Sequence, residues 1–168
     1  MEAEISIRPA VPGDGLAMSA YVARLVGEGL DTILLNRLIS PEEEEEWIGY
    51  FASPERGVML LAWAGERVVG MIDIRRNERA ALSHSGAFGM SVDSAWRGRG
   101  VGRRLLKRAI AEARSWPGFC RLELGVTPWN VRAIALYESL GFVLEARKAK
   151  AINLRGKPED DLLMALVW

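Results

Sequence analysis

The sequence predicts a single α/β domain of the mixed α+β kind spanning residues 1–168, with a central, mostly antiparallel, twisted sheet of about seven strands and helices on both faces. Three observations carry that prediction. Short apolar runs bounded by turn residues interleave with stretches of helical periodicity, in the order strand, two or three helices, three strands, helix, strand, helix, two strands. Two of the runs, Val58 to Trp63 and Val68 to Ile74, are joined by Gly65-Glu66 in the manner of a β-hairpin. The chain has 168 residues, 49% of them hydrophobic and 26% charged, enough to bury one core and ordinary for a globular domain.

The elements follow in order. Ile5-Ser6-Ile7-Arg8 alternates as a short first strand, and Asp14 is placed to cap a helix from Gly15 to Val26 that Gly27 and Gly29 end. Asp31 to Ile39 reads as a second helical stretch. Ser40-Pro41-Glu42-Glu43 is a capping box with proline at the first helical position, and the acidic run Glu42 to Glu46 suits the positive end of a helix reaching about Ala52. The hairpin comes next, then a loop from Asn77 to Leu82 and a strand from His84 to Val92 carrying Gly86 and Gly89, where a glycine marks a bulge or a close ligand approach. From Val101, Leu105, Leu106, Ala109, Ile110 and Ala113 recur at helical spacing until Pro117-Gly118. Arg121 to Val126 is a strand, and Asn130 to Leu140 a helix ended by Gly141. Phe142 to Ile152 and Asp160 to Val167 close the chain as two strands around Arg155-Gly156-Lys157-Pro158. There is no internal repeat or linker.

Composition narrows the function classes. With 22 basic and 22 acidic residues the net charge is zero, so nothing global steers the chain to nucleic acid or an acidic membrane. Met1-Glu2-Ala3-Glu4 lacks the layout of a signal peptide, and the apolar run Val58 to Ala64 is far short of the ~20 residues of a membrane helix. One cysteine, Cys120, and one histidine, His84, leave no internal disulfide and no structural zinc site to build. The expectation is a cytoplasmic protein without metal.

Against that neutral background Arg97-Gly98-Arg99-Gly100-Val101-Gly102, with Arg103 and Arg104 behind it, is a local feature. Glycines let backbone N–H groups approach a ligand, and a helix N-terminus flanked by arginines favours a phosphate. A Walker A loop would need Gly-Lys-Ser/Thr, whereas Gly102 is followed by Arg103-Arg104. A dinucleotide fingerprint needs Gly-x-Gly-x-x-Gly at the start of a parallel unit, and here the glycines are each two apart after three consecutive strands.

What remains, Arg97, Gly100 and Gly102 in Arg/Gln-x-x-Gly-x-Gly/Ala between strand and helix, resembles the acyl-CoA motif of the GCN5-related N-acetyltransferase superfamily. Asn130-Val131-Arg132-Ala133-Ile134-Ala135-Leu136-Tyr137, running on to Gly141-Phe142, resembles a second signature of that superfamily at the right spacing. The pattern is most similar to the bacterial phosphinothricin and amino-acid N-acetyltransferase branch. The resemblance implies acetyl-CoA as co-substrate, its pyrophosphate on backbone N–H groups from Arg97 through Arg99 and Val101 to Gly102 and Arg103. It implies a pantetheine arm lying along Met90-Ser91-Val92 in the manner of an added strand, beside Asn130 and Ala133. It also implies a sheet splayed between the fourth and fifth strands to admit that arm.

Direct acetyl transfer to a primary amine in a ternary complex needs a base for the ammonium, stabilisation of the oxyanion and an acid for the leaving thiolate. The resemblance makes Tyr137 the acid, and a phenol with pKa near ~10 is a fair donor to a thiolate. The oxyanion falls to a backbone N–H around Met90 to Val92. Glu123, a carboxylate in the apolar strand Leu122 to Val126, is the candidate base, two residues before the Gly125 position where many relatives carry glutamate; a structural carboxylate paired to an arginine is the alternative. His84, Asp73 and water are the other candidates, and Asp160 is a further strand carboxylate that reads as structural. The acceptor is expected over Val26 to Leu38 and Lys148 to Glu159, with Glu28 and Asp31 for an ammonium and Arg75, Arg76, Arg147 and Lys150 for a carboxylate. A small amine, an amino acid or analogue, leads; a polyamine, a protein N-terminus or lysine, and a non-catalytic acyl-CoA sensor are the alternatives, and a homodimer stays open. An RNA-contacting role for Arg97 to Arg108 lacks an aromatic stacking platform.

Overall fold

The computed structural model describes residues 4–29 and 37–168. Its strands are β1 (Ile5–Pro9), β2 (Gly57–Ala64), β3 (Arg67–Arg76), β4 (Ser85–Val92), β5 (Arg121–Val126), β6 (Val143–Leu154) and β7 (Lys157–Val167). The helices are α1 (Gly15–Gly27), α2 (Pro41–Tyr50), α3 (Val101–Arg114) and α4 (Val131–Glu138). The strands form one sheet in the order β1-β2-β3-β4-β5-β7-β6, antiparallel throughout except for β4 and β5, which run parallel. The sheet is therefore mixed, because the α3 crossover returns the chain in the direction of β4. The helical reading of Asp31 to Ile39 falls largely on residues outside those described, and Arg37 to Ile39 are not helical.

The apolar runs of β2 and β3 are continuous because both faces are covered. Leu60, Ala62, Ile72 and Ile74 pack with Leu105, Leu106 and Ala109 of α3, whereas Met59, Leu61 and Val68 pack with Met18, Tyr21 and Leu25 of α1 and Ile48 of α2. The α2 capping box is formed: the Ser40 hydroxyl accepts from the Glu43 N–H and the Glu43 carboxylate accepts from the Ser40 N–H.

Asp14 departs from its expected role. It stands at the N-cap position of α1, but its carboxylate is gripped by the Arg8 guanidinium at 2.7 and 2.8 Å and accepts from the Val11 N–H. A charged bidentate partner outcompetes the helix N–H groups for those oxygens. Glu45 of α2 caps in its place, accepting from the N–H groups of Gly13 and Gly15.

Candidate active site

β4 and β5 are paired only through Ser85↔Arg121, Gly86↔Leu122 and Ala87↔Glu123. Beyond Ala87 they diverge while β4 stays bound to β3 as far as Val92, and β5 to β7 as far as Val126. The splayed sheet expected from the motifs is present. The Asp93 N–H donates to the Val69 carbonyl, so alternation turns the backbone groups of Ser91 toward β3 and those of Phe88, Met90 and Val92 toward the split. A sheet edge exposed inside the fold can accept an extended partner.

The loop after β4 closes one end of the split. Asp93 anchors it: the carboxylate is held by Arg24 and Arg67, each at 2.9 Å, and accepts from the Ala95 N–H. Gly98 and Gly100 adopt φ of +76° and +78°, a conformation strained for a residue with a Cβ. A Cβ on Gly100 would meet nothing within 4 Å, so the backbone there faces open space. The Arg104 N–H donates to the Gly100 carbonyl, and the N–H groups of Val101, Gly102 and Arg103 precede the first intrahelical bond of α3.

These features enclose a cavity of about 500 Å³, lined by Met90, Ser91 and Val92, by Arg97, Gly98, Gly100, Val101, Gly102 and Arg103, and by Asn130, Ala133 and Tyr137. The two motifs thus converge in space. Arg99 is the exception; its guanidinium stacks over Trp96 at 5.1 Å. The four arginines expected to reinforce the loop divide their tasks. Arg97 reaches back to Glu28 at 2.5 Å, Arg104 donates to the Ile5 carbonyl, and Arg103 lines the cavity while donating to Ser139. Arg132, which sequence reasoning passed over, lines it too. Its signal was present: on α4 it directly precedes Ala133, inside the second motif.

A second cavity of about 680 Å³ lies on the other side of Tyr137, and the two share Met90, Ser91, Asn130 and Tyr137. Its walls include Tyr21 and Leu25 of α1, Trp47 of α2, Asp73 and Arg75 of β3, Ile152 of β6 and Asp161 of β7. Tyr137 is 8% exposed, packs edge-on against Phe88 and, buried as it is, has its phenol pushed up to about 12. Tyr21 hydrogen-bonds Ser91 across the cavity at 2.9 Å, and burial raises its pKa as well.

Glu123 does not join this arrangement, and its expected place as base is corrected. It lies on the face of Gly125, as strand alternation requires, but opposite Ala87, where β4 and β5 are still paired. Its side chain is 32% exposed and Oε2 accepts from Arg121 at 3.0 and 3.1 Å, and it lines neither cavity. His84 is exposed at the start of β4, and Asp160 accepts from Arg147 and the Lys150 N–H. Among the acceptor candidates Arg75 lines the second cavity, whereas Glu28 is tied to Arg97 and Arg76 stacks on Trp116. Asp31 lies outside the described residues.

The carboxylates that do reach the second cavity are Asp73, 7% exposed, and Asp161, 8% exposed. Burial pushes Asp73 up to about 6, against the pull of Arg75, whose Nε lies 2.8 Å from Oδ2. A Cβ on Gly125 would stand 2.8 Å from Asp161 Oδ1, so the space over Gly125 is filled by that carboxylate. Asp161 had no sequence signal of its own: alternation groups it with Leu163 and Ala165, and Asp160 with Leu162 and Met164, and both faces are apolar.

A sequence model described as the acetyltransferase (GNAT) family matches residues 28–142. The chain belongs to that family. Within the GNAT family, the L-amino acid N-acetyltransferase AaaT of Escherichia coli is 35% identical over 108 residues, 64% of this chain and 67% of that enzyme. A ribosomal protein bS18-alanine N-acetyltransferase of Salmonella typhimurium is 36% identical over 88 residues, 52% of this chain and 59% of the relative, so the match spans little more than half of it. The crystal structure of a GNAT acetyltransferase from Streptococcus pneumoniae superposes with a TM-score of 0.92 at 29% identity, covering 98% of this chain and all of that one. Among the described residues no helix is long and apolar enough to cross a membrane, and no cluster of three or more metal-ligating side chains occurs.

Proposed function

We propose that residues 1–168 act as one N-acetyltransferase domain that moves the acetyl group of acetyl-CoA directly to the primary amine of a small molecule, an amino acid or analogue. One observation carries the reading: two cavities, one backed by a glycine loop and a helix N-terminus, the other holding buried carboxylates, meet at a tyrosine over the split.

The residues present fit the donor. The open backbone at Gly100, Gly98 beside Arg132, the N–H groups of Val101 to Arg103 in the first turn of α3 and the cations of Arg103 and Arg132 would hold its diphosphate. The free edge at Met90 and Val92, with Asn130 opposite, would hold the amides of its arm. Acetyl-CoA supplies an acyl group already activated by a thiol leaving group, so the chain's work is alignment and proton handling. Tyr137 donates the proton at the leaving group; its raised pKa keeps it protonated at neutral pH. The N–H groups of Met90 and Val92 that face the split are placed for the oxyanion.

The acceptor enters the second cavity. Arg75 there stands beside Asp73, a cation and an anion as close as the carboxylate and ammonium of an α-amino acid, and AaaT is named for L-amino acid acetylation. The bS18-alanine relative supports a second reading, a protein N-terminus, which would leave Arg75 without a carboxylate to meet. A thiol-release assay with acetyl-CoA against amino acids, polyamines and peptide amines separates them. Turnover restricted to free amino acids is expected. Release with peptides alone would transfer the reading to protein N-termini, and binding of acetyl-CoA without release on any amine would make the chain a sensor.

A further inference from the structure

Among the described residues three buried side-chain polar atoms lack a hydrogen bond: Trp63 Nε1, Asp73 Oδ2 and Asp161 Oδ1. Two of the three are carboxylate oxygens, and both residues line the second cavity. Buried charge is ordinarily paired and hydrogen-bonded, because desolvation otherwise outweighs what it gains. Each aspartate is ion-paired, but one oxygen of each lacks a hydrogen bond. Arg75 Nε is 2.8 Å from Asp73 Oδ2 but not aligned as a hydrogen bond, and Lys148 Nζ approaches only the other oxygen of Asp161, at 3.3 Å. They come from strands at different depths of the sheet order, β3 and β7, on either side of the split. Each overlies a glycine of a flanking strand: a Cβ on Gly89 would be 3.4 Å from Asp73 Oδ1, and one on Gly125 2.8 Å from Asp161 Oδ1. Two buried carboxylates with incomplete hydrogen bonding, both lining one cavity, offer that cavity an acidic wall suited to a donor-rich cation.

We propose that Asp73 and Asp161 together bind the ammonium group of the acceptor, and that Asp73 takes its first proton. The inference rests on the N-acetyltransferase reading and names the groups that reading lacks. The proton balance is complete. One N–H bond of the ammonium breaks and an O–H bond forms on Asp73, freeing the nitrogen lone pair for the thioester carbonyl. As the C–S bond breaks the sulfur receives a proton from Tyr137, the second proton shed by nitrogen restores the tyrosine, and Asp73 returns the first to water. Asp161 acts by position. Arg75, on the same strand, is paired with Asp73; the other charged and titratable groups lining the cavity are Asp161, paired with Lys148, Tyr21 from α1 and Tyr137 from α4.

The test is calorimetry on the CoA-saturated protein with three probes of one shape: L-leucine, isopentylamine, which keeps only the ammonium, and 4-methylpentanoate, which keeps only the carboxylate. Asp73→Asn and Asp161→Asn should each weaken L-leucine and isopentylamine at least tenfold and leave 4-methylpentanoate unchanged. In steady-state assays Asp161→Asn should raise KM for the amine with kcat little affected. Asp73→Asn should lower kcat and erase the acid limb of the kcat/KM profile. Thermal midpoints at or above wild type would show that both variants fold. Wild-type affinity for the ammonium probes in both variants, or no binding of either probe to the wild type at millimolar concentration, overturns the proposal. Failure of thiol release on every amine would instead remove the acetyltransferase reading, while calorimetry still decides the ammonium site.

Discussion

Asp73→Asn should make the protein more stable, and only above a certain pH. The Asp73 carboxyl is 7% exposed, and an ion-pair contact with Arg75 offsets only part of its desolvation, so its pKa rises from 3.8 to about 6. At ~1.4 kcal/mol per tenfold, that displacement penalises the ionised native form by roughly 3 kcal/mol against the unfolded chain. The native state holds the proton more tightly than the unfolded state between the two values. Stability from this group therefore falls as pH rises from about 4 to about 6, and the penalty is fully present above. Asparagine keeps the shape and removes the charge. The variant should gain between about 1 and 3 kcal/mol at pH 8 and match wild type near pH 4. Glu44, 4% exposed and pushed up to about 7 by its burial on α2, gives both proteins a similar slope and cancels in the difference. Urea unfolding at half-unit pH steps reads the effect as a midpoint shift at constant m. A variant equal to or weaker than wild type at pH 8, or a gain that does not change with pH, would refute the reasoning. A more stable variant with impaired turnover is what a group retained for function predicts.

Tyr137→Phe should lower kcat on the order of 10²-fold while acetyl-CoA affinity stays within about twofold, measured by steady-state kinetics and calorimetry; full activity would reject Tyr137 as the acid. Gly100→Trp sets an indole in the open space at φ +78° and should weaken CoA at least about 100-fold for a backbone strain of roughly 1–2 kcal/mol, with unchanged affinity sinking the loop as the diphosphate site. Glu123→Gln should leave kcat/KM within about twofold and cost under about 1 kcal/mol in thermal unfolding, since Arg121 retains Glu145; a 100-fold loss by the same assay would restore Glu123 as base.

Which parts of the molecule the sequence disclosed follows from chain distance. The α2 capping box, the glycine loop and the Asn130 cap of α4, whose side chain accepts from the Ala133 N–H, involve residues within a few positions of each other. Their geometry is local and so is their signal. Asp14 shows where local logic fails: its capping propensity is sound, but Arg8 reaches it through the β1 turn, and Glu45, 30 residues away from Gly15, takes over the helix end. The arginine cluster is partly diverted in the same way, although Arg97 and Arg103 line the cavity. Glu28, the partner of Arg97, lies 69 residues away, and the Ile5 carbonyl that draws Arg104 lies 99 away.

The same distinction divides the catalytic apparatus. The cavity proposed for the donor is assembled from two segments, 90–103 and 130–137. The cavity proposed for the acceptor draws residues from α1, α2, β3, β4, β5, α4, β6 and β7, and its two aspartates are 88 positions apart in sequence. A donor common to a whole family can be held by a contiguous motif, because the diphosphate and amide arm never change. An acceptor that differs between members has to be met by side chains that vary one at a time on a fixed frame. The carboxylate standing over Gly125 fits that division, because it comes from Asp161 on the neighbouring strand. Gly125 gives up its side chain, Asp161 reaches over it from the neighbouring strand, and the backbone around Tyr137 need not move. Exchanging Gly125 and Asp161 for a glutamate and an alanine therefore ought to alter which amine is used while leaving acetyl-CoA bound as before.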